Sequence, residues 1–191
     1  MKVLALFGSP RRGGNTDILL EEVLKGAKIQ GIEIERIFLS RLNILPCQEC
    51  RKCEISGDCV INDKMQEIYP KLIEADFVIL GSPIFFYGVS AQTKAFIDRC
   101  QALWARKYVL NQGSLNKKIS ERKGWFISVG ATKGDNLFKG AILTVKYFFD
   151  AIDVKYSGQL LFRNINEKGA IKKHPTALKE AFKMGKWKIK R

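Results

Sequence analysis

Apolar and polar positions along this chain form short blocks whose period switches repeatedly between that of a strand and that of a helix. Lys2 to Phe7 is an apolar run that ends at Gly8, the pattern of a strand covered on both faces. Asn15, Thr16 and Asp17 offer helix-capping side chains. Ile18, Leu19, Val23, Leu24 and Ala27 then share one face of a helix reaching about Gln30. From Ile32 to Leu39 the residues alternate, which predicts an edge-like strand. A cysteine-rich segment follows as a loop. Asn62 and Asp63 cap a helix to about Glu74, and Phe77 to Leu80 is a third strand. Ser90 starts a helix to about Arg106, with Phe96, Ile97, Cys100 and Leu103 spaced for burial. Gly124 to Val129 is a fourth strand, Asp135 to about Ile152 a helix, and Val154 to Leu161 a fifth strand. A helix from Pro175 completes the pattern.

Five strands alternating with helices predict an α/β fold: a doubly wound, five-stranded parallel sheet in the order 2-1-3-4-5. The 191 residues suit a single domain over 1–191, without internal repeats. Such sheets bind ligands at the carboxyl ends of their strands, beside the switch point between strands 1 and 3. No apolar run approaches the ~20 residues of a membrane span. The apolar start is too short for a signal peptide, so a cytoplasmic protein without a membrane partner is expected.

Three segments stand where ligands should bind. After strand 1 come Gly8-Ser9-Pro10-Arg11-Arg12-Gly13-Gly14-Asn15-Thr16, leading into a helix N-terminus that favours a phosphate. Ser9, Asn15 and Thr16 offer donors and Arg11 a cationic fork. Gly14-Asn15 stands where a Walker A loop needs Lys-Ser/Thr, and the dinucleotide fingerprint GxGxxG is absent. After strand 3 come Pro83, Ile84, Phe85, Phe86, Tyr87 and Gly88. Flat apolar side chains and backbone N–H groups suit a planar tricyclic ring, with Gly88 letting the loop turn; the plainer reading is core packing of Phe85 and Phe86. Ser128 and Gly130, after strand 4, are candidates for further backbone donors.

The loop over 46–60 carries Cys47-x2-Cys50-x2-Cys53-x5-Cys59. Three cysteines at x2 intervals wrap a compact polynuclear centre, as in ferredoxin motifs, and four thiolates suit a [4Fe–4S] cubane. Zinc and redox-active thiols remain alternatives, although zinc more often takes two separated ligand pairs. The sole histidine, His174, is distant in sequence. Cys100 reads as a small buried hydrophobe.

Net charge is +14, and 13 of those charges come from Ala105–Lys123 and Arg163–Arg191. That distribution offers either a docking surface for an acidic partner or a solvated lysine-rich face.

These motifs resemble the archaeal-type iron–sulfur flavoproteins, within the NADPH-dependent FMN reductase group of flavodoxin-like proteins. The resemblance rests on Gly8-Ser9-Pro10-Arg11 with Asn15-Thr16, the four cysteines, and Ala75-Asp76 leading to Ser82-Pro83. The run from Ser90 to Arg99 belongs to it too. It implies one FMN and one [4Fe–4S] cluster per subunit, ferredoxin as an acidic electron carrier, and a homotetramer. Family members usually read Pro-Val-Tyr-Phe-Gly where this chain has Pro83-Ile84-Phe85-Phe86-Tyr87, so a hydroxyl is missing at position 85. The expected function is electron transfer from ferredoxin through the cluster to FMN, and on to oxygen, peroxide or a quinone. No protein acid, base or nucleophile is required, because the cofactors carry the chemistry. The alternative is an NAD(P)H-dependent FMN or quinone reductase with zinc or no metal at the cysteines. A nucleic-acid module using a zinc knuckle, with Phe182 and Trp187 stacking on bases, lacks a recognised fold pattern, and no nucleic-acid partner is expected.

Overall fold

A computed structural model describes residues 1–116 and 121–186. Trp187 and the end of the basic C-terminal stretch lie outside the described residues. Strands β1 (Lys2–Phe7), β2 (Glu33–Phe38), β3 (Phe77–Gly81), β4 (Lys123–Val129) and β5 (Lys155–Phe162) form one parallel sheet, ordered β2-β1-β3-β4-β5. This is the expected doubly wound topology. The helices are α1 (Asn15–Lys28), α2 (Cys53–Ser56), α3 (Tyr69–Glu74), α4 (Ala91–Arg99), α5 (Gln101–Trp104), α6 (Lys139–Ala151) and α7 (Ala177–Gly185). None of them is long and apolar enough to cross a membrane.

The strand pleat divides the core between the two faces. Val3, Ala5, Phe7, Ile79 and Ile127 pack against Leu19, Leu20 and Val23 of α1 and against Ala177 and Ala181 of α7. Leu4, Leu6, Val78, Leu80 and Phe126 face the other way, toward Leu72 of α3, Phe96 of α4 and Phe148 of α6. Each large side chain buried this way contributes about 1.5–3 kcal/mol. Helices α1 and α7 approach so closely that a Cβ on Gly185 would lie 1.9 Å from the Val23 carbonyl oxygen.

Local structure departs from the sequence expectation at several points. No side chain of Asn15, Thr16 or Asp17 caps α1; its N-cap is Gly14. The cysteine loop contains the single turn α2. Asp63 caps a 3-10 turn, accepting the Met65 N–H at 2.9 Å, and α3 starts only at Tyr69. The helix from Ser90 breaks at Cys100 into α4, α5 and a π-turn over Ala105–Val109. Helix α6 begins at Lys139, and Asp135 lies in the turn before it, paired with Arg163 at 2.9 Å. At the opposite end of the sheet, Arg122 is buried and donates to the carbonyls of Leu72, Ala75 and Ile152, tying the ends of α3 and α6 together.

Candidate functional site

The β1–α1 loop and the β3 loop meet at the expected switch point. Ser9, Arg11, Gly14, Asn15, Thr16, Pro83, Ile84 and Phe85 line one cavity of about 210 Å3 with Val129, Ala131, Ile165 and Asn166. The loop is preshaped. The Ser9 hydroxyl oxygen accepts the Arg11 N–H at 3.1 Å, and Gly13 takes a left-handed φ of 64°. Arg12 turns away, its guanidinium 5.2 Å from the Phe38 ring centre, so Arg11 is the arginine facing the cavity. The first N–H groups of α1 point out of the helix end, as helix geometry requires. Asn15 differs from expectation. Its side-chain amide donates to the Glu167 carbonyl at 2.8 Å and its Oδ1 accepts the Ile171 N–H at 3.3 Å. It therefore stitches the loop after β5 onto the cavity, which is how Ile165 and Asn166 come to line it. No local pattern around those two residues marks them beforehand.

The β3 loop is a two-residue hairpin. Phe85 and Gly88 exchange both backbone hydrogen bonds, at 3.0 and 2.9 Å. The residues with positive φ are Phe86 (48°) and Tyr87 (62°), so the turn expected at Gly88 is made by two aromatic residues instead. That is a type I′ hairpin, normally built from Asn and Gly. Phe86 is fully exposed, and Phe85 and Tyr87 are half exposed, so none of them is core. The Ile84 N–H is bonded to the Val129 carbonyl at 3.2 Å, and the Phe85 and Gly88 N–H groups are used within the hairpin. Ser128 and Gly130 differ as well. The Ser128 hydroxyl is buried on the Ser82 carbonyl at 2.7 Å, and the Gly130 N–H is spent on the Phe162 carbonyl at 2.9 Å. Strand β4 instead contributes the flanking residues Val129 and Ala131.

A second, larger cavity of about 750 Å3 is lined by all four clustered cysteines, together with Arg99, Trp104, Tyr147 and Phe148. Cys47 and Cys50 are exposed, Cys53 and Cys59 are half-buried, and none of the four is in a disulfide. Burial, and then the proximity of Cys59, Cys47 and Cys50, push the Cys53 thiol above its usual range. Glu49 and Arg51, between the first three cysteines, both take left-handed φ values, 52° and 58°. The rim charge is mixed: Arg51 and Lys94 face Glu49 and Asp98 and pair with them at 3.4 and 2.7 Å. The fifth cysteine, Cys100, is buried, which raises its thiol pKa strongly and leaves it an apolar filler.

The cysteine loop closes at a buried neck. Arg99, at the end of α4, donates to both oxygens of Asp63, at 2.6 and 3.1 Å, and to the carbonyls of Leu45 and Ile61, at 2.9 and 3.2 Å. Asp63 in turn accepts the Leu45 and Met65 N–H groups, at 2.8 and 2.9 Å. Burial raises the Asp63 pKa, but these donors outweigh it and hold the carboxylate below its usual range. Beyond the neck, Arg106 grips the Gly57 carbonyl at 2.9 Å and the Asp58 carboxylate. Helix α4 joins the two cavities. At its start the Ser90 hydroxyl donates to the Gly8 carbonyl at 2.5 Å, beneath the phosphate-loop candidate, and at its end Arg99 enters the cysteine cavity. Nine residues of helix make that distance about 14 Å.

Sheet order, switch-point cavity and flanking loops define a flavodoxin-like α/β protein. Comparison with known proteins places it further. The profile of the NADPH-dependent FMN reductase family matches residues 1–136, and the chain belongs to that family. It is 39% identical to an iron–sulfur flavoprotein of Methanocaldococcus jannaschii over 133 residues, which are 70% of this chain and 64% of that protein. An iron–sulfur flavoprotein of Methanosarcina thermophila is 36% identical over 58% of each chain. These matches span roughly half to two thirds of the relatives' lengths. Bacillus subtilis YwqN, named among the NAD(P)H-dependent FMN-containing oxidoreductases, is 28% identical over 96% of both chains. Among solved structures, an NAD(P)H:quinone oxidoreductase from Methanothermobacter marburgensis superposes with a TM-score of 0.73 at 19% identity, over 97% of this chain and 94% of that one. This last likeness shows the fold.

Proposed function

We propose that this protein is a cytoplasmic iron–sulfur flavoprotein that takes single electrons from a ferredoxin-type carrier at the cysteine loop and delivers them through FMN to oxygen, peroxide or a quinone. The observation that carries the reading is the convergence of all four cysteines on one cavity, joined by α4 to the cavity that suits a flavin phosphate. FMN supplies one- and two-electron chemistry and a [4Fe–4S] cluster one-electron chemistry when they are bound.

For FMN, Ser9, Arg11, Thr16 and the α1 N-terminus are the residues to hold the phosphate. A cavity of about 210 Å3 is smaller than the ~300–1,000 Å3 of typical ligand pockets. The exposed hairpin of Phe85, Phe86 and Tyr87 beside the cavity would then supply apolar surface for the part of a flavin ring that the cavity cannot enclose. The donor set at the second cavity fits a polynuclear centre. Four thiolates on one zinc ion stand about 3.8 Å apart, from Zn–S bonds of about 2.3 Å in a tetrahedron. Among the described residues, no three Cys, His, Asp or Glu side chains stand close enough to hold a single ion. Four cysteines lining one cavity suit a polynuclear centre in which each sulfur takes its own iron. The net charge of +14 supports an acidic partner, docking through the basic stretches rather than the mixed rim of the cavity. Exposed Ile55, Leu143 and Tyr147 support a homo-oligomer, with the tetramer as the form the family resemblance implies.

The test is the visible spectrum of protein purified without oxygen, before and after dithionite, with iron and acid-labile sulfide assays. Flavin bands over a broad reducible absorbance, with iron and sulfide near four each per chain as a cubane requires, support the proposal. Flavin with zinc or without metal moves the function to an NAD(P)H-dependent FMN or quinone reductase. The full-length likeness to YwqN favours that second reading, and rapid flavin bleaching by NADPH alone would establish it.

A further inference from the structure

The neck of the cysteine loop holds one donor too many. A guanidinium carries five N–H bonds. In Arg99, which is 1% exposed, the two on Nη1 go to Leu45 O and Asp63 Oδ2, and the two on Nη2 go to Ile61 O and Asp63 Oδ1. The fifth, on Nε, is buried and has no acceptor, and among the described residues it is the only buried side-chain polar atom in that position. Folded proteins rarely leave such a group unpaired, because burying it strips away water and returns nothing.

Its surroundings identify the missing acceptor. Arg99 lines the cysteine cavity. Cys59 lines the same cavity and is near enough to the guanidinium and to the Tyr69 hydroxyl to act on their charge, and that hydroxyl donates to the Arg99 carbonyl at 2.7 Å. A neutral thiol accepts hydrogen bonds poorly. A cysteine sulfur ligated to iron carries negative charge and accepts them well, and such bonds set the potentials of iron–sulfur centres.

We propose that the Arg99 Nε–H donates to the ligated Cys59 sulfur and thereby raises the reduction potential of the cluster, making Arg99 a potential-setting positioning residue. The inference rests on the cluster reading above. Its direction follows from charge. One-electron reduction adds a negative charge to the cluster, and a donor aimed at its ligand favours the reduced form. Asp63 neutralises the guanidinium at longer range, so the direct hydrogen bond carries the effect. The same side chain ties Leu45 and Ile61 together, so the acceptor's position is fixed by the closure of the loop.

The experiment is a potentiometric titration, followed by EPR, of the anaerobically purified holoprotein and its Arg99→Lys variant, after iron and sulfide assays on both. Lysine keeps a positive charge but loses the Nε–H of the fork. With equal iron and sulfide in the two proteins, the reduced-to-oxidised equilibrium of the variant should fall about tenfold at a given potential, a drop of about 59 mV for a one-electron couple. An unchanged or higher potential at equal iron content overturns the inference. Should the variant fail to fold, wild-type protein labelled with 15N-arginine decides the matter. A nitrogen coupling in pulsed EPR of its reduced cluster is expected, and the lack of one refutes the bond. Wild-type protein without iron and sulfide overturns the cluster reading itself, and the assays report that before any potential is measured.

Discussion

Asp17 gives the sharpest test of the electrostatics around the phosphate-loop candidate. It lies in the first turn of α1, 5% exposed, with its Oδ2 accepting the Gly13 N–H at 2.9 Å. Burial pushes its pKa up to about 6, against the lowering effect of that bond. Between the ordinary 3.8 and about 6, the folded chain keeps a proton that the unfolded chain has released. Stability must therefore fall as pH rises through that window, and level off above it. At 1.36 kcal/mol per pH unit, the gap from 3.8 to about 6 amounts to about 3 kcal/mol lost at pH 8. Asp17→Asn removes the titration and keeps an acceptor for Gly13. Urea unfolding of the flavin-free protein at pH 4, 6 and 8, at fixed ionic strength, measures the effect. The variant should be more stable than wild type by up to about 3 kcal/mol at pH 8, with the gain shrinking toward zero near pH 4. A difference that does not change with pH, or a variant less stable at pH 8, refutes the reasoning.

Asp63→Ala leaves the Arg99 charge buried and unpaired, so urea unfolding should show a loss of about 3–5 kcal/mol, and the four loop thiols should react faster with a thiol reagent. Gly185→Ala places a Cβ 1.9 Å from the Val23 carbonyl oxygen, a backbone atom that cannot step aside. It should cost at least the ~1–3 kcal/mol of ordinary overpacking and expose α7 to proteolysis. Phe86→Asn puts a residue that tolerates positive φ at a fully exposed turn position. The melting temperature should rise, by up to about 1 kcal/mol of stability, while FMN binding weakens; unchanged FMN affinity would remove Phe86 from the flavin site.

The sheet was legible because its signals are local and repeated. Apolar runs ending at Gly8 and Gly81 alternate with helical faces, and a chain of that rhythm has few topologies open to it. The place of the cavity was legible for the same reason, since Ser9, Arg11, Thr16 and Phe85 lie on the loops and helix start that follow β1 and β3 and line it together. What escaped the reading was set by tertiary contacts. The carbonyls that Asn15 and Gly130 meet come from residues far along the chain, Glu167 and Phe162, and no local pattern announces them. Nothing local in the sequence marks Arg99 or Arg122 for burial, yet both are buried, one on a carboxylate and the other on three helix-end carbonyls. The break at Cys100 has the same origin: α5 and the π-turn follow the cysteine loop, to which Arg106 is anchored.

Local preference and final structure disagree most where the two cavities open, and that coincidence bears on function. A type I′ turn of Phe86 and Tyr87 forgoes the glycine that would relax it, and it exposes aromatic surface. Left-handed Glu49 and Arg51 hold three cysteines on an exposed loop that buries few of its own side chains. Each left-handed residue of this kind costs on the order of 1 kcal/mol or more, so the surrounding structure must supply the constraint. It does so at both places with tertiary contacts. The Tyr87 carbonyl is held by the Ala141 N–H at the start of α6, and the cysteine loop is held by Arg99, Asp63 and Arg106. The anchors of the hairpin and of the neck both lie on the side of the sheet that carries α4 and α6. Strain maintained at two openings that flank one pair of helices is what a protein needs if two bound groups must keep a fixed separation. A fold selected for stability alone would have placed Asn-Gly at 86–87 and closed the cysteine loop.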